Sequence, residues 1–273
     1  MICVANVDAI EQALTTLRSE RHLHRVEAPL QFLADAADAR VRGSLVAKYA
    51  EVETHGDTGA MFRTAIVRAL RRHATSDDLA LLECSLRTYE HLPPRDTEVA
   101  ESLRAAALIT MNEVDQPLAS FHAVRLLFEP PALSGEPALT AAKVLASQEQ
   151  PLPLYQYVST ADPAAAPEVT GECLRSLIGA PAPVLRELAA RFRECQDEIV
   201  LLGLFDLLLT RDDFNEYILT FLAETRLDGV FQWLVTTVVA IHREGLLPGL
   251  QSMRESEPDR TRRNILRDAL SLI

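Results

Sequence analysis

Apolar residues recur at three- and four-residue spacing along almost the whole chain, and almost nothing alternates as a strand would. The pattern predicts about sixteen helix-sized amphipathic segments. Asn6 opens a segment carrying Ile10, Leu14 and Leu17, and Phe32 and Leu33 sit in a short second one. Asp38 is placed to cap a third, with Val41, Leu45, Val46 and Tyr49 at helical spacing. Gly56 and Gly59 break the chain before Phe62, Ile66, Val67 and Leu70. Thr75 or Ser76 then caps the helix of Leu79, Leu82 and Leu86, which Pro93-Pro94 ends. Asp96 or Thr97 is expected to start the next, with Val99, Leu103, Ala106 and Ile109. Asp115 with Pro117 begins a helix whose predicted core face is Phe121, Val124 and Leu127, stopped by Pro130-Pro131. Ser134 with Pro137 begins the helix of Leu139, Ala142 and Leu145. Pro167, Pro181, Asp197, Asp212, Asp228 and Asp259 each precede a further apolar run, as proline and acids favour a helix's first turn.

Short breaks group these segments into pairs starting near residues 6, 38, 76, 115, 151, 181, 212 and 246. Such a period belongs to stacked helical repeats. The phase of pairing between residues 25 and 75 stays open. The stretch 148–167 is rich in Pro and Ala, with only a short helix near Leu154–Val158, and a bend or irregular repeat is expected there. Val41-Arg42 with Leu45 and Val46 resembles the Val-Arg opening of a HEAT second helix, and similar frames occur at Val99 to Ala107, Val169 to Leu177 and Ile199 to Leu207. The chain therefore resembles the HEAT and armadillo-like repeat families over most of its length, although only Val41-Arg42 keeps the Val-Arg pair in place. The resemblance implies an all-α protein, a right-handed α-α superhelix of about eight helix pairs running as one solenoid through residues 1–273. It also implies that second helices line a concave surface that holds another macromolecule. A compact helical bundle is the alternative.

Composition narrows the function classes. Aromatics make up 5% of the chain, so Leu, Val and Ala must build the core and an aromatic platform for bases is not expected. A formal charge of −12 repels phosphate backbones at long range, making nucleic acid an unfavoured partner, and suits a protein partner with a basic face. Lys48 and Lys143 are the only lysines, as a GC-rich coding bias toward arginine would produce. Cys3, Cys84, Cys173 and Cys195 form no CxxC and imply no disulfide framework. The N-terminus lacks a basic stretch followed by an apolar run, so no signal peptide is expected. The longest apolar runs, Ile199–Leu209 and Val230–Ile241, are too short to span a bilayer. A cytoplasmic location is the expectation.

No phosphate-binding loop, dinucleotide fingerprint, metalloprotease or nucleophile-elbow motif is present. His22 and His24 are separated by about 200° on a helix and cannot share a metal without distortion. No catalytic residue, metal or cofactor is expected, and the function read from the sequence is that of a non-enzymatic interaction scaffold or adaptor. Candidate contact residues are few. Arg63, Arg68, Arg71 and Arg72 lie on a segment without an acid, with Arg68, Arg71 and Arg72 on one face. They suit an acidic partner or phosphate, or a solvated helix end. Arg260, Arg263 and Arg267 line the last helix, as a polar cap would. Asp206 interrupts an otherwise apolar helix and needs a partner or an exit to water. Trp233, the only tryptophan, lies on the corresponding helix of the next repeat and either packs in the core or shares a groove with Asp206. An Asp and a Trp in one groove are similar to the site of HEAT-like glycosylases that excise alkylated DNA bases, although the acidic, Lys-poor composition departs from that family's basic groove. An immunity or inhibitor role against a basic partner is the other alternative.

Overall fold

A computed structural model of the protein describes residues 2–93, 97–130 and 134–273, with side chains from Val7 onward. The side chains of Cys3 and Asn6, and Pro94, Asp96 and Pro131, lie outside the described residues. Sixteen α-helices and one two-stranded hairpin are found among those described. The chain divides into two compact units, Met1–Glu149 and Gln150–Ile273.

The first unit holds α1 (Ile2–Ser19), α2 (Leu23–Ala34), α3 (Ala39–His55), α4 (Met61–Leu70), α5 (Leu79–Leu86), α6 (Glu101–Val114), α7 (Gln116–Leu127) and α8 (Ala138–Ser147). Here α2 packs on α4, α4 on α6 and α6 on α8, while α1, α3, α5 and α7 pack on their partners in those pairs. The second unit holds α9 (Pro151–Thr160), α10 (Pro167–Arg175), α11 (Ala182–Arg191), α12 (Glu198–Leu208), α13 (Asn215–Glu224), α14 (Asp228–Ala240), α15 (Leu247–Ser256) and α16 (Arg260–Leu270), with α9 packed on α10 and α15 on α16. Its α10, α12, α14 and α16 form a continuous row of packed helices. Aliphatic side chains fill both interiors, among them Leu45, Leu70, Leu103, Leu126, Leu204 and Val235, all fully buried.

Local chemistry explains most helix starts. The carboxylates of Asp38, Asp115, Asp197 and Asp259 each accept a backbone N–H from the first turn of the helix they precede. Thr75 forms a capping box with Asp78 over the short 3-10 turn Ser76–Asp78 that leads into α5. Three starts differ from the sequence expectation. The first helix begins at Ile2 rather than Asn6, and the second is a full twelve residues that carries Pro29 inside it. The helix expected from Asp96 or Thr97 begins only at Glu101. Instead His91–Leu92 (β1) and Thr97–Glu98 (β2) pair as an antiparallel hairpin. The cause is Glu98, whose carboxylate accepts the Ala100 N–H at 2.7 Å and two Arg104 bonds, holding its own backbone extended.

Candidate functional site

The arginine segment of α4 is not a free cationic face. Its first turn is held by Asp57, whose carboxylate accepts the N–H groups of Phe62 and Arg63. Arg63 is only 7% exposed and inserts between Asp57 and Glu90, so it is a buried ionic tie and not a surface contact. Burial opposes its charge, but the Glu90 hydrogen bond and the surrounding negative charge outweigh that and raise its pKa further. Arg71 binds Glu113 of α6 at 3.1 Å through Nε, and Arg72 pairs with Asp35 at the end of α2. Arg68 is exposed and makes no ion pair among the described residues. Arg68 and Arg71 line a groove of about 340 Å³ with Ser102, Ile109 and Thr140, but Glu136 lines it as well. Apart from Asp57, the acids that pair with Arg63, Arg71 and Arg72 come from the end of α2, from α6 and from the approach to β1, so the local sequence does not reveal them.

Asp206 and Trp233 lie in the second unit, on α12 and α14. Asp206 Oδ2 stands 3.6 Å from Arg175 Nε of α10. Burial pushes the Asp206 carboxyl up, and the Arg175 charge only partly opposes it. Trp233 is half-buried, and among the described residues no hydrogen bond joins it to Asp206. Arg262, on the final helix, donates to Asp228 at 2.9 Å and lies 4.8 Å from the Phe231 ring. The arginines of this helix therefore also serve internal contacts, and Arg263 donates to the Glu257 carbonyl.

Two surfaces went unread in the sequence. The first is α7. Its buried face is Ala119, His122, Ala123, Leu126 and Leu127, so Phe121 and Val124 point outward, contrary to the sequence expectation. Phe121 and Val124 are exposed at i and i+3, on one stripe of the helix, and Phe128 is exposed just past its end. At its C-terminal end Arg125 binds Tyr89 Oη at 3.0 Å and the Leu86 carbonyl at 2.8 Å, and Tyr89 donates to Glu129. His122, beneath the stripe, has its pKa lowered by burial and by the Arg125 charge, so its imidazole is neutral at pH 7.

The second surface is a cleft of about 1010 Å³ between α11 and α13. Small side chains, Ala189, Ala190 and Cys195, line one side, and Phe214, Tyr217 and Phe221 the other. Fully buried Phe205 packs beneath, its ring centroid 4.5 Å from that of Phe221 and tilted against it. Tyr217 Oη donates to the Ala189 carbonyl at 2.9 Å and ties the two walls.

Among the described residues no cluster of three or more side chains is placed to hold a metal, and no helix is long and apolar enough to cross a membrane. Comparison of the chain with protein-family models, curated proteins and solved structures finds no match.

Proposed function

We propose that the protein is a non-enzymatic scaffold that holds a protein partner, each unit being a short α-solenoid of the HEAT or armadillo kind. The row-on-row packing of α2, α4, α6 and α8, repeated by α10, α12, α14 and α16, supports the solenoid reading. The observation that carries the function is the outward stripe of α7, in which Phe121 is 79% exposed beside exposed Val124. A free chain gains nothing by presenting aromatic area to water, whereas aromatic anchors supply much of the energy of a protein interface. The Arg125, Tyr89 and Glu129 cluster supplies the polar rim such an interface has. Net charge of −12 favours a partner with a basic rim around its apolar contact, encountered in the cytoplasm.

The test is a pair of pull-downs from nuclease-treated source lysate, with the wild-type chain and with Phe121→Ser/Val124→Ser. A stoichiometric protein retained by the first and lost by the second supports the reading. Equal retention by both, or recovery of nucleic acid alone, sinks it.

A further inference from the structure

We propose that the cleft between α11 and α13 takes an amphipathic helical segment of a protein partner, one flank acidic and the other basic. The cleft walls differ in sign. On the α11 side the lining carries Arg186 and Arg193 against Glu194; on the α13 side it carries Asp213, Glu216 and Glu224 against Arg226, so the net charge is positive on one wall and negative on the other. The floor between them is apolar, made by Ala189, Tyr217 and Phe221. Small residues on one wall let a helix approach closely, and half-buried aromatics on the other give it a surface to pack on. From Arg186 to Arg191 the helical part of the α11 wall is about 7.5 Å long, room for about one and a half turns of helix with apolar residues at i and i+3 or i+4.

The charges are free to engage. Arg186 and Glu216 are exposed and make no ion pair among the described residues. Arg193 and Glu224 approach only to 3.8 Å, and both are about two-thirds exposed, so their mutual attraction is weak. A segment acidic on both flanks would meet the acids of α13, and one basic on both flanks the arginines of α11. A segment of mixed sign matches the net charge of both walls.

The proposal shares with the scaffold reading only the class of partner, and concerns a separate surface in a separate unit. It is tested on the full chain with three fluorescent peptides of about 14 residues, roughly four turns. All share a leucine stripe; their flanks are acidic and basic, acidic on both sides, or basic on both sides. The mixed peptide is expected to bind about tenfold tighter than either uniform one. Arg186→Glu/Arg193→Glu makes both walls acidic and is expected to transfer the preference to the all-basic peptide. Ala190→Trp, at an exposed position, is expected to abolish binding by filling the cleft. Circular dichroism confirms that each variant is folded. Equal binding of the three peptides, no saturable binding up to about 1 mM, an unmoved preference in the charge variant, or full binding by Ala190→Trp would each overturn the proposal. None of these outcomes touches the α7 experiment, so the two ideas fail separately.

Discussion

Gly203 of α12 lies directly on Gly171 of α10: a Cβ added at Gly203 would stand 2.6 Å from the Gly171 Cα. A Cβ added at Gly171 would in turn stand 2.8 Å from the Ile199 carbonyl oxygen. Both obstructions are backbone, so no flexible side chain can yield. Gly203→Ala therefore forces the two helices apart. Overpacking of this kind costs about 1–3 kcal/mol, and alanine's better helix propensity returns about 1. A net loss near the top of that balance, about 2 kcal/mol, is expected in urea unfolding. Gly43→Ala is the counterpart, since nothing lies within 4 Å of a Cβ there and the site is exposed in α3. It is expected to stabilise by about 0.5–1 kcal/mol. Equal effects of the two substitutions would disprove the close crossing.

The Arg104–Glu98 pair secures the hairpin to α6. Arg104 is 3% exposed, donates to both Glu98 oxygens at 2.8 and 2.9 Å and to the Thr88 carbonyl, and lies 4.2 Å from the Tyr89 ring. Arg104→Met strands the Glu98 carboxylate without its counter-ion and is expected to cost about 3–5 kcal/mol. Burial alone would raise the Glu98 carboxyl, but the Arg104 and Ala100 hydrogen bonds and the Arg104 charge outweigh it and set the pKa below the ordinary value. A depressed carboxyl contributes stability above its unfolded pKa and loses it as pH falls through the folded one. The stability gap between wild type and Arg104→Met/Glu98→Gln should thus shrink as pH falls below the ordinary glutamate range, about 4.3. A gap that is constant from neutral pH down to pH 3 contradicts this.

What the sequence revealed was what is decided locally. Aspartates 38, 115, 197 and 259 cap helices through N–H groups two or three residues away, so their role was legible from spacing. Apolar periodicity likewise gave the helices themselves. Apart from Asp57, six residues before Arg63, the ionic partners of Arg63, Arg71 and Arg72 lie 27 to 42 residues away and only packing brings them together. The outward turn of α7 is hidden from the sequence for a related reason. Its core face uses Ala119, His122 and Ala123, which carry a weak apolar signal, while the strong one, Phe121 and Val124, belongs to the surface. A cleft between α11 and α13 is a property of two helices about thirty residues apart and has no sequence signature of its own.

Asp206 discriminates a catalytic from a structural carboxylate. Burial raises its pKa against a partial offset by Arg175. A raised carboxyl favours the folded state when protonated, so its contribution is greatest below the unfolded pKa and falls as pH rises through the folded one. Asp206→Asn, which mimics the neutral form, should leave stability at pH 7 unchanged or slightly higher, and lose that advantage in acid. The side chain is 39% exposed, so the effect should stay within about 1 kcal/mol. Base release from alkylated DNA by the wild type, lost in Asp206→Asn, would instead establish a glycosylase site.

The face assignment of α7 can be checked without any partner. Phe121 is 79% exposed and Leu127 fully buried, six residues apart on one helix. Phe121→Ser removes little area that folding buries, and surface substitutions of this kind stay within about 0.5 kcal/mol. Leu127→Ala opens a cavity in the core and is expected to cost about 2–5 kcal/mol. Chemical unfolding of the two variants measures both. Should Phe121→Ser cost as much as Leu127→Ala, the stripe is covered within the free chain and cannot be the docking surface. If it costs nothing while the partner is lost, the aromatic is held in water for binding alone.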